Sequence, residues 1–253
     1  MSYSKEHMDK KAQITIFIII GIVIVGAVIS VFAFKNNLKL KFLNPESEKI
    51  QVFVESCIED VGKEVIYEIG QKGGQYIAPN FSAIKQIPYY RSEEENYMPS
   101  KKQIEEEISF YASAKLFFCT KNFVDFPNME IEQGEINVKT IIENDKVVLD
   151  VKYPLSIIQE KNTILIQDFK NIEIPVRLGI VYDSIEKIIN EQLDYESICL
   201  SCILEIVLEN DLYVDLLDYD EETVIFIFRD ENSKINDETF EFVFANKYDI
   251  QEE

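Results

Sequence analysis

The sequence predicts an α+β protein, in which an N-terminal transmembrane helix precedes a domain of antiparallel sheet packed with about three helices. Three observations lead to this prediction. The residues from Ile14 to Phe34 carry no charge, and later segments show the apolar spacing of helices. From Glu135 onward the apolar period changes to two, which is typical of strands. Because the strands occur in pairs, without regular strand–helix–strand alternation, an antiparallel sheet is expected.

The uncharged run Ile14–Phe34 has 21 residues. As a helix it would span about 30 Å, the thickness of the hydrocarbon layer of a bilayer. Two other interpretations stay open. A core helix of a soluble protein rarely runs this long without a polar face. A cleaved secretory signal usually has a shorter apolar region, and the only exit site here is Val31-Phe32-Ala33. We therefore predict a transmembrane helix over residues 13–34.

The residues in front of this run are Lys10-Lys11-Ala12-Gln13, and the run itself opens with Ile14-Thr15-Ile16-Phe17. They resemble the class III (type IV pilin-like) signal peptide of membrane-anchored archaeal surface proteins. The resemblance continues at residues 53–58 and 73–77. It implies cleavage between Ala12 and Gln13, after which the apolar helix stays as an anchor or as the packing core of a filament. The resemblance implies a location and no activity.

Five segments follow from these patterns: a basic head or leader (1–12), the transmembrane helix (13–34), a juxtamembrane connector (35–44), a helical part (45–130) and an α+β part (131–253). Three lysines lie on each side of the apolar run, so the positive-inside rule leaves the orientation open. The pilin-like edge places the head inside the cell and the domain outside. The expected partners are membrane lipid and, through the apolar helix, the protein itself or other pilin-like subunits.

Acidic residues dominate the chain, with 46 against 25 basic ones and a formal net charge of −21. Three of the lysines lie in the head, so the negative charge falls on the domain that follows the apolar run. Such a surface repels nucleic acid and anionic lipid headgroups. We therefore predict no nucleic-acid partner. We do predict a soluble, exposed domain.

Two long amphipathic helices are predicted in the helical part. Asn44-Pro45-Glu46 has the residues of a helix start, and the first helix should end near Gly70. The second begins at Ser100, with Glu105–Glu107 on its solvated side. Residues 70–99 are rich in Gly and Pro and predict loop with short strands. The predicted core faces are Ile50, Phe53, Val54, Cys57, Val61 and Val65 in the first helix, and Ile104, Ile108, Tyr111, Leu116 and Cys119 in the second.

Strand pairs are predicted in the α+β part. Residues 136–142 should pair with 147–153 across a tight turn at Asn144-Asp145. A second hairpin is expected between residues 156–158 and 163–169. The helices predicted here are a third amphipathic one at about 175–194 and a short apolar one at 197–208. Further strands are predicted at 212–217, 224–229 and 240–244.

All four cysteines, Cys57, Cys119, Cys199 and Cys202, follow the apolar run. Outside the cell, an even number of cysteines predicts disulfides, and four cysteines allow three pairings. We favour Cys57 with Cys119, because both lie on the inner faces of the predicted long helices. Cys199 and Cys202 would then form a local pair.

The motif Cys199–Cys202 has a second interpretation. Two cysteines separated by two residues can form a redox dithiol whose thiolate is stabilised at a helix N-terminus, with Ser197 as the cap. The strand–helix–strand context of such motifs is not evident. The flanking residues predict burial: Ile198, Leu200, Ile203 and Leu204. A structural disulfide or buried thiols are therefore favoured, and a membrane-tethered thiol-redox protein or other enzyme using Cys199 and Cys202 is the alternative.

No catalytic residue, metal site or cofactor is predicted. The single histidine, His7, lies in the head, so the domain has no histidine-based triad and no histidine-ligated metal. The densest acidic cluster, residues 215–222, lacks the Gly and the terminal Glu of a calcium loop. A solvated hairpin turn is favoured there over a site for a hard cation. The prediction is a surface protein whose acidic domain serves binding or assembly; a sensor or accessory subunit of an envelope complex is a further possibility.

Overall fold

The computed structural model describes residues 45–248, except residues 78, 81, 84–86, 93–94, 160–161, 194 and 196–197. The described residues from 46 onward belong to one compact unit. The predicted leader, the cleavage site Ala12–Gln13, the apolar run Ile14–Phe34 and the connector lie outside the described residues. Within the described part, no helix is both long enough and apolar enough to cross a bilayer.

Four α-helices and nine strands make up the described part of the chain. The helices are α1 (Pro45–Gln71), α2 (Lys101–Thr120), α3 (Leu178–Gln192) and α4 (Leu200–Glu209). The strands are β1 (Tyr89–Ser92), β2 (Glu95–Asn96), β3 (Glu130–Gln133), β4 (Asn137–Ile142), β5 (Val147–Gln159), β6 (Asn162–Ile174), β7 (Tyr213–Asp218), β8 (Thr223–Ile235) and β9 (Glu238–Lys247). The α+β class is confirmed. The described part has four α-helices where about three were expected, and the fourth is the short apolar helix predicted at 197–208, which forms nearly three turns.

Helix α1 matches the first predicted helix, beginning at Pro45 and ending one residue after Gly70. Its buried residues recur at the three- and four-residue spacing of one helix face: Ile50, Val54, Cys57, Ile58, Val61, Val65, Ile66 and Ile69. Beyond the helix, Gly73 and Gly74 have φ angles of +57° and +76°. Glycine adopts this left-handed backbone without the steric cost of a Cβ atom, so these two residues allow the chain to turn.

Helix α2 begins after Ser100, as predicted. The Ser100 side chain accepts a hydrogen bond from the Gln103 N–H, and the Gln103 side chain accepts one from the Ser100 N–H, which is a capping box. The prediction that Glu105, Glu106 and Glu107 all lie on the solvated side of the helix is wrong for two of the three. Glu105 and Glu107 are half-buried and accept backbone N–H groups outside the helix, whereas Glu106 is exposed.

One sheet contains β3, β4, β5 and β6, all paired antiparallel. Both predicted hairpins are present, β4 with β5 and β5 with β6. They share one strand, because β5 runs unbroken from Val147 to Gln159. Pro154 lies inside this strand where the pairing register shifts. A proline is tolerated at such an irregularity because no ladder hydrogen bond is required of its nitrogen.

The second sheet has the strand order β2-β1-β9-β8-β7. The predicted strands of the chain's last part form β7, β8 and β9, which pair antiparallel. The prediction of a purely antiparallel sheet is wrong at one place, because β1 and β9 run parallel. This pair joins the helical part to the α+β part, so the two predicted parts share one core.

Helix α1 lies across both sheets, and two glycines allow its close approach. A Cβ atom at Gly62 would come within 2.7 Å of side chains from Leu149 of β5 and Ile174 of β6. One at Gly70 would come within 2.5 Å of the carbonyl oxygen of Glu241 in β9. Beneath the helix, rings from β8 and β9 fill the core: Phe226, Phe228, Phe240, Phe242 and Phe244.

Candidate functional site

The structure brings Cys57 and Cys119 together between α1 and α2. Their Cα atoms are 5.8 Å apart, and the two sulfurs lie at disulfide distance. A second connection joins the same helices, because Lys115 pairs with Glu64 at 2.7 Å and with Glu68 at 3.1 Å. Burial lowers the pKa of Lys115, but hydrogen bonds to the two carboxylates raise it by more. The ammonium group is therefore held in its charged form between the two helices.

The second cysteine pair lies at the start of α4. The Cα atoms of Cys199 and Cys202 are 5.4 Å apart, and their sulfurs lie at disulfide distance. Cys199 is the N-cap residue, and its Sγ accepts a hydrogen bond from the Cys202 N–H at 3.3 Å. The cap predicted from sequence, Ser197, lies outside the described residues. Both pairings are the ones that the sequence favours.

The surroundings of the second pair are less buried than predicted. Ile203 is buried and Ile198 is half-buried, but Leu200 and Leu204 are 57% and 55% exposed. The sequence misleads here because apolar residues occur on all sides of α4, whereas only one face of the helix packs against the core. Both cysteines are half-buried, so solvent reaches part of this pair.

The acidic residues 215–222 lie in the second half of β7 and in the turn that joins it to β8, so the predicted hairpin is present. The Asp220 carboxylate accepts N–H groups of Glu222 at 2.9 Å and Thr223 at 2.7 Å, and these bonds lower the pKa of Asp220. Asp215 pairs with Arg229, and Glu222 pairs with Lys247. Among the described residues, no group of three or more His, Cys, Asp or Glu side chains is arranged to hold a metal ion.

A buried polar cluster, which no sequence motif marks, surrounds the ring of Tyr248. Arg91 of β1, Gln192 at the end of α3 and Asn246 of β9 contribute to it, and these residues are 4%, 0% and 0% exposed. The Arg91 guanidinium carbon lies 4.8 Å from the ring centroid. The Tyr248 hydroxyl donates to Gln192 Oε1 at 2.6 Å and lies 3.3 Å from Asn246 Nδ2, which donates to it. We call these four residues the Tyr248 cluster.

Half of the side-chain polar atoms of the Tyr248 cluster lack partners. Arg91 Nη2 donates to the carbonyl oxygen of Tyr195 at 2.8 Å, but Nε and Nη1 are buried and unpaired. Gln192 Nε2 and Asn246 Oδ1 are also buried without a partner. Buried polar atoms are almost always hydrogen-bonded, so four unsatisfied atoms around one ring mark a candidate ligand site. The one signal in the sequence was the scarcity of arginine, since Arg91 is one of three in the chain.

The surroundings of the Tyr248 hydroxyl change its pKa. Burial raises the pKa of Tyr248, whereas the hydrogen bond from Asn246 and the positive charge of Arg91 lower it. The net effect is an increase, so the hydroxyl stays neutral and keeps the proton that it donates to Gln192. The cluster therefore contains one positive charge and no negative charge of its own.

Comparisons with known protein families, with curated proteins and with solved structures give no match. The class of the protein is therefore defined by its own fold and sites. It is an α+β domain with two cysteine pairs at disulfide distance and a buried arginine that has no carboxylate partner among the described residues.

Proposed function

We propose that this chain is a single-pass surface protein of the cell membrane, with a pilin-like signal at its front edge and an acidic extracytoplasmic domain for binding or assembly. Residues 14–34 would anchor the chain. Lateral packing of this apolar helix, in the membrane or in a filament, would display the α+β domain. Catalysis is not part of the proposal.

The observation that carries the proposal is the pairing of all four cysteines at disulfide distance. Disulfides persist in oxidising compartments and are rare in the cytosol. All four cysteines follow the apolar run, so an oxidised domain supports placing that side of the run outside the cell. The acidic composition is a second support, because a net charge of −21 keeps an exposed domain soluble and away from anionic headgroups.

Surface labelling of intact cells tests this orientation. An amine-reactive label that does not cross membranes should modify Lys102, whose side chain is 81% exposed. Mass spectrometry of the full-length protein reads the label, and a cytosolic protein serves as the control for leakage. Labelling of Lys102 in intact cells supports the proposal, whereas labelling only after lysis contradicts it.

A thiol-redox function is the second candidate, because Cys199 caps α4 and both cysteines of the motif are half-buried. A helix N-terminus stabilises a thiolate, which favours exchange. In such a function the Cys199–Cys202 disulfide would accept two electrons and two protons from the dithiol of a partner protein. The partner would leave with a disulfide.

The reduction potential of the Cys199–Cys202 pair separates the two functions. The full chain is equilibrated with thiol–disulfide buffers of defined potential, and the state of each pair is read by alkylation. A potential above about −270 mV supports redox exchange, and one below about −300 mV supports a structural disulfide. The Cys57–Cys119 pair serves as the internal reference.

A further inference from the structure

We propose that the Tyr248 cluster binds an oxyanion, that is, the carboxylate, sulfate or phosphate group of a ligand, through the guanidinium of Arg91 and the side-chain amide of Gln192. An arginine side chain stays protonated in proteins, and Arg91 is 4% exposed. Removing a charge from water without a counter-charge is strongly unfavourable. An anion beside the guanidinium would offset this cost.

The other two arginines each have a carboxylate partner, although Arg229 Nε is buried and unpaired. Arg177 donates to the buried carboxylate of Asp230 at 2.7 Å, and Arg229 pairs with Asp215 at 3.0 Å. Both are more exposed than Arg91. The chain has 46 acidic residues, so carboxylates are not scarce. Among the described residues, the most buried arginine is nevertheless the one that no carboxylate neutralises.

The unpaired donors of Arg91 and Gln192 are held in place by contacts that do not use their N–H groups. The parallel pairing of β1 with β9 sets Arg91 beside Asn246. The ring of Tyr248 faces the guanidinium, and this cation–π contact orients it without using any of its N–H groups. The hydroxyl of the same ring holds Gln192 Oε1, which leaves Gln192 Nε2 as a fixed donor. One ring therefore positions both the charge and the amide.

The chemistry of the unsatisfied atoms selects an oxyanion. Arg91 Nε, Arg91 Nη1 and Gln192 Nε2 are donors, and Asn246 Oδ1 is the one acceptor. Carboxylate, sulfate and phosphate present several acceptor oxygens with negative charge, which match a guanidinium. A cation or a ligand that only donates would meet the wrong partners. This inference does not depend on the proposed location of the protein.

Thermal unfolding of the full-length chain in detergent micelles tests the inference. Sodium acetate, sulfate and phosphate are each titrated against sodium chloride at equal ionic strength, and unfolding is followed by circular dichroism. We expect at least one of the three anions to raise Tm by about 3–5 °C for each tenfold increase above its Kd. The strongest response shows whether the site prefers a planar carboxylate or a tetrahedral anion.

Two variants separate the site from the general stabilising effect of sulfate and phosphate. Arg91→Met removes the charge and should reduce the response to this general effect. Asn246→Asp places a carboxylate on the strand neighbour of Arg91, so its Tm should respond to the added anion only through the general effect. Arg229→Met is the matched control, because this arginine is partly exposed and already paired, and its response should equal that of the wild type.

Three results would overturn the inference. A flat response of the wild-type protein to all three anions would mean that the chain neutralises Arg91 by itself. An equal response of Arg91→Met and wild type would identify a general salt effect. If Arg91→Met does not fold, a full response of Asn246→Asp would still exclude the site.

Discussion

Ser109 of α2 accepts a hydrogen bond from the backbone N–H of Thr140 in β4, at an Oγ–N distance of 3.0 Å. The same arrangement repeats on both sides of this contact. Ser113 Oγ accepts the N–H of Val138, and Glu105 Oε1 accepts the N–H of Ile142. Side chains at every fourth position of α2 therefore accept hydrogen bonds from the N–H groups at every second position of β4. The outer edge of β4 is satisfied by side chains, and it is unavailable for pairing with another strand.

Replacing Ser109 should destabilise the domain through β4. In Ser109→Ala the N–H of Thr140 loses its acceptor in a half-buried place, which should lower the free energy of unfolding by about 1–3 kcal/mol. Urea unfolding followed by circular dichroism measures the change. Ser184→Ala is the matched control, because Ser184 Oγ donates only to the Ile180 carbonyl in its own helix. Its loss should be smaller, and equal losses would show that the contact with β4 adds nothing.

The Cys57–Cys119 bridge should be the more stabilising of the two cysteine pairs. It closes a loop of 62 residues, which corresponds to about 4 kcal/mol in the chain-entropy description. The pair Cys199–Cys202 is separated by three positions and closes a much shorter loop. The double variant Cys57→Ala/Cys119→Ala should therefore lose more stability in urea than Cys199→Ala/Cys202→Ala. The opposite order would mean that the first pair does not form a bridge in solution.

The ion pair between Arg177 and Asp230 should be sensitive to the loss of one partner. Asp230 is 0% exposed and accepts hydrogen bonds from Arg177 and from Ser233. Asp230→Asn leaves the guanidinium without its counter-charge, so unfolding free energy should fall by about 3 kcal/mol or more. Asp215→Asn is the control in an exposed pair with Arg229, and should cost about 1 kcal/mol or less. Similar losses in both variants would contradict the importance of burial at Asp230.

Alkaline pH should weaken the fold partly through Tyr182. Burial, followed by the negative charge of Glu186, raises the pKa of Tyr182 to about 12 from an ordinary value of 10.0. As the pH rises from 10 to 12, the unfolded state loses this proton before the folded state does, so stability falls. In Tyr182→Phe the urea midpoint should decline less steeply across this range. Tyr213→Phe changes an exposed ring and should follow the wild-type curve.

Local patterns predicted the elements that depend on local physics. The start of α2 was predicted at Ser100, where the structure has a capping box, and the hairpin of β4 and β5 was predicted from period-two alternation around Asn144-Asp145. These signals lie within a few residues of the structure that they specify. The pairing of Cys57 with Cys119 was also accessible, because both positions fall on helix faces whose periodicity is clear.

Long-range contacts were not accessible from the sequence. The parallel pairing of β1 with β9 joins distant segments, and β1 has only four residues in a region rich in Gly and Pro. The Tyr248 cluster depends on that pairing, so its residues could not be grouped in advance. Glu105 has the appearance of a solvated residue, and its bond to the N–H of Ile142 exists only because β4 lies against α2.

Intact mass with N-terminal sequencing of the membrane-extracted, unreduced protein tests the central claim most directly. The claim is that pilin-type processing and oxidation outside the cell produce the mature chain. It predicts a first residue at Gln13 and a mass four hydrogens below that of the reduced chain, since two disulfides form. A first residue after Ala33, or four free thiols, would contradict it.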